Sequence, residues 1–269
     1  MTEDIKPDPD KLQAARAEFQ HMDMIAKVLG DSFYPGGEQL TQKLGELMGL
    51  SRGMKVLNIY STNGMSAITL VKWFEVEVLG IDPSTGNIER AKEKAQKTGF
   101  ADRVSFRQGE LEQIDIDDAR FDGVLTECTL CTFPDKRTAI SELHRVLKKG
   151  GRIGIADVMV NGELPPELDS IVSMILRLSD ANSVDGYREL LREAGFNEVA
   201  YEDHSYALEE LIKKGQKMLM GWNMVEKIFK LDLQKMVGIT SEEAGVLLQV
   251  AMDEVKKGNI GYGLFVGTK

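Results

Sequence analysis

Acidic and sulfur-bearing side chains follow several short apolar segments of this 269-residue chain. Asp82 follows VEVLGI, Glu110 follows VSFRQG, and Glu127 follows FDGVLT, with Cys128 and Cys131 just behind it. A carboxylate at such a point can accept hydrogen bonds from the hydroxyls of a ribose or the amino group of an adenine, or it can take up a proton. Thiolates bind soft metalloids. If the apolar segments are parallel strands, their carboxyl ends meet at one crevice, so the sequence predicts a ligand site there.

Each of these side chains also has an ordinary structural explanation. Asp82 could cap the turn that follows it, and Glu110 could be one more surface acid. A free cysteine is usually buried and chemically inert. The pair Cys128 and Cys131 has no second pair behind it, so the sequence predicts no metal site.

The composition narrows the class of protein and of partner. The net charge of −10 opposes the electrostatic attraction that dominates nucleic-acid binding, which favours a small-molecule partner. Charged residues interrupt every long apolar run, so no membrane span is expected. The polar segment MTEDIKPDPDKLQ lacks a signal-peptide core, and two cysteines cannot form a disulfide framework. These features predict a cytoplasmic protein.

Strand-like and helix-like segments alternate along most of the chain. Strands are predicted at 55–60, 76–81, 104–107, 121–126, 152–157, 198–201 and 259–267. Helices are predicted at 10–29, 38–50, 66–74, 86–98, 136–147, 168–178, 184–194, 208–220, 225–235 and 241–257. The last of these helices is predicted to begin behind a Ser241 N-cap, with Ala244 at N3 and no capping box. The alternation predicts an α/β fold, a mostly parallel sheet with helices on both faces.

Four regions follow from this pattern. Residues 1–53 are predicted to form an N-terminal helical cover and residues 54–205 the core of the fold. Residues 206–258 form a C-terminal helical insertion, and residues 259–269 return to the core sheet as its final strand.

Three segments resemble successive motifs of class I S-adenosylmethionine (SAM) methyltransferases. They are VLGIDPS at 78–84, GELE at 109–112 and ELHRVLKKGGR at 142–152, and the resemblance covers roughly residues 35–196. The segment YPGG at 34–37, together with Thr41, is similar to a cofactor-covering segment of several small-molecule members. The resemblance implies a Rossmann-like class I methyltransferase fold with a seven-stranded sheet and SAM as cofactor.

The turn at residues 58–64 departs from the pattern of this family. Asn58, Tyr60, Thr62 and Gly64 stand where the family has an Asp and three glycines. The turn is interpreted either as a reshaped pocket, in which the Tyr60 and Thr62 hydroxyls contact the ligand, or as a site whose cofactor function has decayed. For a retained site the resemblance implies cofactor contacts from Tyr34, Gly37, Asn58, Tyr60, Ser61, Thr62, Gly64, Asp82, Pro83, Glu110, Leu111 and Glu127.

The segment TECTLCTFPDK at 126–136 resembles arsenite methyltransferases, whose cysteine at this place matches Cys128. Those enzymes use further cysteines, early in the chain and after the fifth strand, that this chain lacks. The Pro-Asp-Lys run also occurs in methyltransferases of quinones and other apolar molecules. The methionines of the insertion could line an adaptable apolar pocket, although such residues are more often core or dimer contacts.

The resemblance therefore implies methyl transfer from SAM to a small molecule, either apolar or thiol-reactive. Glu127 is the predicted general base, and Cys128 and Cys131 are predicted to lie on the acceptor side. The alternative function is a non-catalytic ligand- or partner-binding protein on a decayed methyltransferase scaffold. The sequence leaves a homodimer open.

Overall fold

Seven strands form one sheet in this computed structural model, which describes residues 34–111, 114–133, 135–168, 178, 180–222 and 239–269. The strands are β1 (Lys55–Ile59), β2 (Glu77–Asp82), β3 (Val104–Gln108), β4 (Phe121–Glu127), β5 (Leu147–Val160), β6 (Asn197–Asp203) and β7 (Ile260–Thr268). Their order is β3-β2-β1-β4-β5-β7-β6. The first five strands are parallel, and β7 runs antiparallel between β5 and β6. The predicted mostly parallel seven-stranded sheet is confirmed.

Helices connect these strands. They are α1 (Gly37–Leu47), α2 (Met65–Phe74), α3 (Thr85–Thr98), α4 (Lys136–Val146), α5 (Val184–Glu193), α6 (Ser205–Met220) and α7 (Ser241–Lys257). Short 3-10 turns lie at Leu130–Thr132 and Pro166–Leu168. The helices predicted at 10–29 and 225–235, and nearly all of the one at 168–178, lie outside the described residues.

The sheet separates two apolar clusters because successive residues of a strand point to opposite faces. Val56 belongs to one cluster and the adjacent Leu57 to the other, and both are fully buried. Burial on both faces explains why the parallel strands read as continuous apolar runs. In the described part of the chain, no helix is both long enough and apolar enough to span a membrane.

Two predicted boundaries are wrong for identifiable reasons. Helix α7 is capped by Thr240, whose side chain accepts from the Glu243 backbone N–H while the Glu243 carboxylate reaches back, so a capping box is present. Strand β5 begins at Leu147, five residues earlier than predicted, because Leu147 pairs with Phe121 ahead of an irregularity in the register. Neither change moves the carboxyl ends of β1 to β4.

Candidate functional site

The carboxyl ends of β1 to β4 meet at one edge of the sheet, as the parallel register requires. Ile59 of β1 is paired with Ile81 of β2 on one side and Thr126 of β4 on the other. The turns that follow are joined directly, because the Ser61 N–H donates to the Ile81 carbonyl at 3.0 Å. The predicted crevice is therefore bounded by the turn at 60–64 and by the ends of β2, β3 and β4.

The turn at 60–64 has positive φ at Tyr60 and Thr62, two positions where the resembled family has glycine. Tyr60 has φ 51° and Thr62 has φ 44°, both in the left-handed region that L-residues adopt at a cost of about 1–2 kcal/mol. Gly64 has φ 78°, and a Cβ added there would lie 2.8 Å from the Phe106 ring. Three residues of this turn thus have positive φ, and two of them carry side chains.

Asp82, at the end of β2, is buried and organises this turn. One carboxylate oxygen, Oδ2, accepts from the Thr62 N–H at 2.9 Å. The other, Oδ1, accepts from the Ser84 N–H and from Asn87 Nδ2, both at 2.9 Å. Burial raises the pKa of Asp82, and these three donors oppose that shift. The turn-capping explanation for Asp82 is therefore realised, and any ribose contact has to be made by a carboxylate that already accepts three bonds.

The Tyr60 side chain bridges the two sides of the crevice. Its hydroxyl donates to Glu110 Oε2, behind β3, at 3.2 Å. Its ring meets the Phe133 ring, behind β4, edge-on with centroids 5.4 Å apart. Tyr60 is half-buried: its ring packs against the apolar cluster that contains Phe133, and its hydroxyl reaches Glu110.

Glu127, at the end of β4, is the most buried acid of the crevice apart from Asp82. Only 6% of its surface is exposed, and Oε1 accepts from the Thr41 hydroxyl at 2.7 Å. Burial raises the pKa of Glu127 from 4.5 to about 7, and the Ser66 and Thr41 hydroxyls oppose this shift. A carboxyl group with a pKa near neutrality can take up or give up a proton under physiological conditions.

The segment before α1 lies close to this acid, and its role as a cofactor cover stays a prediction. The buried Tyr34 hydroxyl lies 2.7 Å from Ser66 Oγ on α2. Burial, with the nearby Glu127 charge next in size, raises the pKa of Tyr34 above its usual range. Gly37 takes part through its backbone, since its carbonyl oxygen lies 3.3 Å from the Thr41 hydroxyl.

The two cysteines differ in their surroundings. Cys128 has φ 48°, and its Sγ lies 3.6 Å from the Tyr262 hydroxyl of β7. Cys131 is fully buried, and its N–H donates to Asp157 Oδ2 at 2.8 Å. Asp157 also accepts from the Tyr187 hydroxyl at 3.0 Å. The turn that follows β4 is thereby fastened to β5, with Cys128 at its start and Cys131 inside it.

The remaining predicted contacts lie around these residues. Pro83 offers its carbonyl oxygen to Gln108 Nε2 at 2.8 Å, and Leu111 is fully buried in the apolar core. Asn58 and Ser61 are also buried. Within the described residues, Asn58 Oδ1 and Glu127 Oε2 are buried oxygens that lack a hydrogen-bond partner, and such atoms suit a ligand's donors. No metal-binding group of three or more His, Cys, Asp or Glu side chains occurs in the part of the chain that the structure describes.

Sequence reasoning missed four polar residues that shape the site. Ser66 and Tyr262 lie on a helix and a strand that read as ordinary core elements, and Asp157 and Tyr187 are 30 residues apart along the chain. An acid in the apolar strand GRIGIADV was the one available signal, since a buried carboxylate needs partners.

Comparison with known proteins identifies the family. A family model described as a methyltransferase domain matches residues 50–245. Methyltransferase GfsG of Streptomyces halstedii is 31% identical over 178 residues, which cover 65% of this chain and 64% of the relative. The chain thus spans slightly less than two thirds of that relative's length. An arsenite methyltransferase of Halobacterium salinarum is 31% identical over 134 residues, 48% of this chain and 33% of the relative.

Solved structures agree on the class of fold. Phosphoethanolamine N-methyltransferase 2 of Haemonchus contortus, in complex with S-adenosylhomocysteine and phosphomonomethylethanolamine, has a TM-score of 0.78 at 18% identity, over 96% of this chain and 60% of that one. The 4+2 cyclase SpnF has a TM-score of 0.77 at 19% identity, over 98% of both chains. Because the second protein is named for a different reaction, likeness of fold does not by itself define the chemistry.

Proposed function

Because the chain belongs to the methyltransferase domain family, we propose that it transfers a methyl group from SAM to a small molecule. The observation that supports this most is that Asp82 and Glu110 both contact the turn at 60–64, in which Tyr60, Thr62 and Gly64 have positive φ. Acidic acceptors at the ends of neighbouring parallel strands suit the hydroxyl and amino hydrogens of a nucleoside.

The residues present fit an adenosyl ligand in their chemistry. The resemblance assigns Asp82 to the ribose and Glu110 to the adenine as hydrogen-bond acceptors. The buried Asn58 Oδ1 has no hydrogen-bond partner among the described residues and could accept from a donor such as an ammonium group. Tyr34 and Thr41 close the site from the N-terminal side. When bound, SAM supplies a methyl group already activated on a sulfonium, so the protein's task is chiefly to align donor and acceptor and to exclude water.

The acceptor is proposed to be a small molecule. A net charge of −10 disfavours a nucleic acid. Cys128 and Cys131 form no disulfide, which suits a reducing compartment, and we propose the cytoplasm. With two thiols in the chain, a three-thiolate metalloid site cannot form within one molecule.

Calorimetric titration with SAM and S-adenosylhomocysteine tests the cofactor, and transfer of a labelled methyl group to a panel of hydroxyl, amine, thiol and arsenite acceptors tests the reaction. Binding of both nucleosides with transfer to at least one acceptor is expected. Absence of binding would favour the alternative of a decayed scaffold. If a thiolate takes part, Cys128→Ser should abolish transfer and leave SAM affinity unchanged, whereas Cys131→Ser should have the smaller effect.

A further inference from the structure

We propose that Glu127 Oε2 accepts the proton of the methyl acceptor, and that Thr41 is the residue that positions Glu127 for this role. The acceptor would then carry its proton on the reacting oxygen or nitrogen at neutral pH, as an alcohol, a phenol or a protonated amine does. This inference rests on the proposed methyl transfer and adds to it the class of acceptor and the residue that orients the base.

The first support is a contact between distant parts of the chain. Thr41 lies on α1 and Glu127 at the end of β4, 86 residues apart, yet the Thr41 hydroxyl donates to Glu127 Oε1 at 2.7 Å. Both side chains are almost fully buried. A short hydrogen bond from a buried hydroxyl fixes the orientation of the carboxylate, and with it the position of the second oxygen.

The Thr41 hydroxyl has a second acceptor, the Gly37 carbonyl oxygen of its own helix, at 3.3 Å. While Glu127 is ionised, the hydroxyl donates to the carboxylate. Once Glu127 is protonated at Oε2, Oε1 is the carbonyl oxygen of the carboxyl group and still accepts from the Thr41 hydroxyl. Thr41 can therefore hold Glu127 in both protonation states.

The second oxygen of Glu127 supplies an independent observation. Oε2 is buried, and among the described residues it has no hydrogen-bond partner. A buried carboxylate oxygen left without a donor is costly, so this atom suits a donor brought by a ligand. The N–H or O–H of an acceptor is such a donor.

No cation among the described residues contributes to the pKa of Glu127. Tyr34 precedes α1, Ser66 lies on α2, Cys128 directly follows β4, and Tyr262 lies on β7. The two phenols stay neutral at physiological pH, since burial raises the pKa of each above its usual range. Burial raises the pKa of Glu127 from 4.5 to about 7, and the Ser66 and Thr41 hydroxyls oppose this shift only in part.

The proton balance is simple. The acceptor's O–H or N–H bond breaks, its electron pair stays on the oxygen or nitrogen that receives the methyl group, and the proton forms a neutral carboxyl group on Glu127. Water takes the proton from Glu127 after the product leaves. A thiol needs no such help, because its ordinary pKa of about 8.5 already gives some thiolate at neutral pH.

The positioning role can be measured without any acceptor. Protein labelled with ¹³C at the glutamate carboxyl carbon is titrated by NMR, and the Glu127 signal is identified by its loss in Glu127→Gln. We expect a midpoint near 7 in the parent protein, raised by roughly half a unit to one unit in Thr41→Val, which loses the donor. Thr41→Ser keeps the hydroxyl and should restore the parent midpoint. Thr69→Val, at a buried threonine of α2, is the matched control and should leave the midpoint unchanged.

An unchanged midpoint in Thr41→Val, or a midpoint near 4.5 in the parent, would overturn the proposal. Titration of S-adenosylhomocysteine into Glu127→Gln distinguishes a role as base from a role in cofactor binding. We expect an affinity within twofold of that of the parent. A loss of tenfold or more would make Glu127 a cofactor ligand instead of the base. Failure of the parent to bind SAM would refute the proposed function, whatever the NMR titration midpoint of Glu127.

The acceptor panel completes the test. In Glu127→Gln the rate of methyl transfer to alcohols or amines should fall at least a hundredfold, and the rate of transfer to thiols should change little. Alcohols and amines are assayed separately. In Thr41→Val the rising limb of the pH–rate profile should move to higher pH with the NMR midpoint. Full activity of Glu127→Gln towards a hydroxyl or amine acceptor would refute the role of Glu127 as base.

Discussion

Tyr60 and Thr62 show how much a single residue type can and cannot predict. Their identities mark the departure from a glycine loop, and the sequence placed them at the mouth of β1. It did not predict that both would keep a positive φ, because propensity favours the ordinary regions for any residue other than glycine. The fold holds them there: Gly64, packed on Phe106, and Asp82, bonded to the Thr62 N–H, fix the turn on either side.

The bridging position of Tyr60 leads to a prediction about affinity. If an adenosyl ligand uses the space between Glu110 and Phe133, the contact between Tyr60 and Glu110 has to open first. Tyr60→Gly should therefore bind S-adenosylhomocysteine about threefold to tenfold more tightly than the parent, which matches the loss of one hydrogen bond worth about 0.5–1.5 kcal/mol. Calorimetry measures this, with Tyr206→Phe as the control at an exposed tyrosine. Weaker binding by Tyr60→Gly would mean that the phenol contacts the ligand.

The buried Glu127 also predicts how stability depends on pH. Its pKa is raised in the folded state from 4.5 to about 7, so between these values the folded protein binds more protons than the unfolded chain. The free energy of unfolding then falls as pH rises through this window. Glu127→Gln, which buries a neutral amide, should be more stable than the parent at pH 8 by roughly 1–3 kcal/mol and should lose that advantage at pH 4.5. Urea denaturation at the two pH values checks this, and equal differences at both would contradict the cause given for the pKa shift.

At the scale of elements, the sheet was predictable and the ends of the elements were less so. All seven strands were predicted, and those buried on both faces, such as β1 and β4, left the strongest signal as continuous apolar runs. The extra residues at the start of β5 depend on pairing with Phe121 of β4. The capping box of α7 depends on whether the hydroxyl of Thr240 or that of Ser241 occupies the N-cap. Polar contacts between elements, such as that of Thr41 with Glu127, depend on tertiary packing and leave no local pattern in the sequence.

The turn behind β4 is the element whose position depends most on one buried acid. Asp157 accepts from the Cys131 N–H and the Tyr187 hydroxyl, and Lys136 Nζ donates to the Phe133 carbonyl at 2.6 Å. Asp157→Ala should lower the free energy of unfolding by about 2–4 kcal/mol, because the buried Cys131 N–H loses this acceptor and the Tyr187 hydroxyl keeps the longer of its two hydrogen bonds, to the Val158 carbonyl at 3.4 Å. Asp157→Asn keeps an acceptor oxygen and should recover more than half of the loss. Chemical denaturation measures both, and equal stability of the two variants would show that Asp157 does not fasten the turn.

At the scale of the whole molecule, both ends of the described chain reach the same crevice. Tyr34 and Thr41 come from the first described residues, and Tyr262 comes from the last strand, where its hydroxyl meets Cys128. The middle of the chain supplies Asp82 and the turn behind β4. A ligand in this crevice would therefore contact groups from most of the sequence, so its binding should stabilise the entire fold and not one segment of it.

This arrangement predicts a global stabilisation that depends on Asp82. A ligand bound only by the folded state adds RT ln(1 + [L]/Kd), which is about 2.7 kcal/mol at a hundred times Kd. S-adenosylhomocysteine should raise the midpoint of thermal unfolding of the parent in a dose-dependent manner, followed by circular dichroism. Asp82→Ala should retain the fold at reduced stability, because the Thr62 and Ser84 N–H groups lose their acceptor. This variant should bind the ligand at least tenfold more weakly than the parent, since a charge-assisted hydrogen bond is worth about 1.5–3 kcal/mol. Asp117→Ala, at an exposed acid away from the crevice, is the control and should respond to the ligand as the parent does. If Asp82→Ala shows the same ligand-dependent rise as the parent, Asp82 organises the turn and takes no part in holding the ribose.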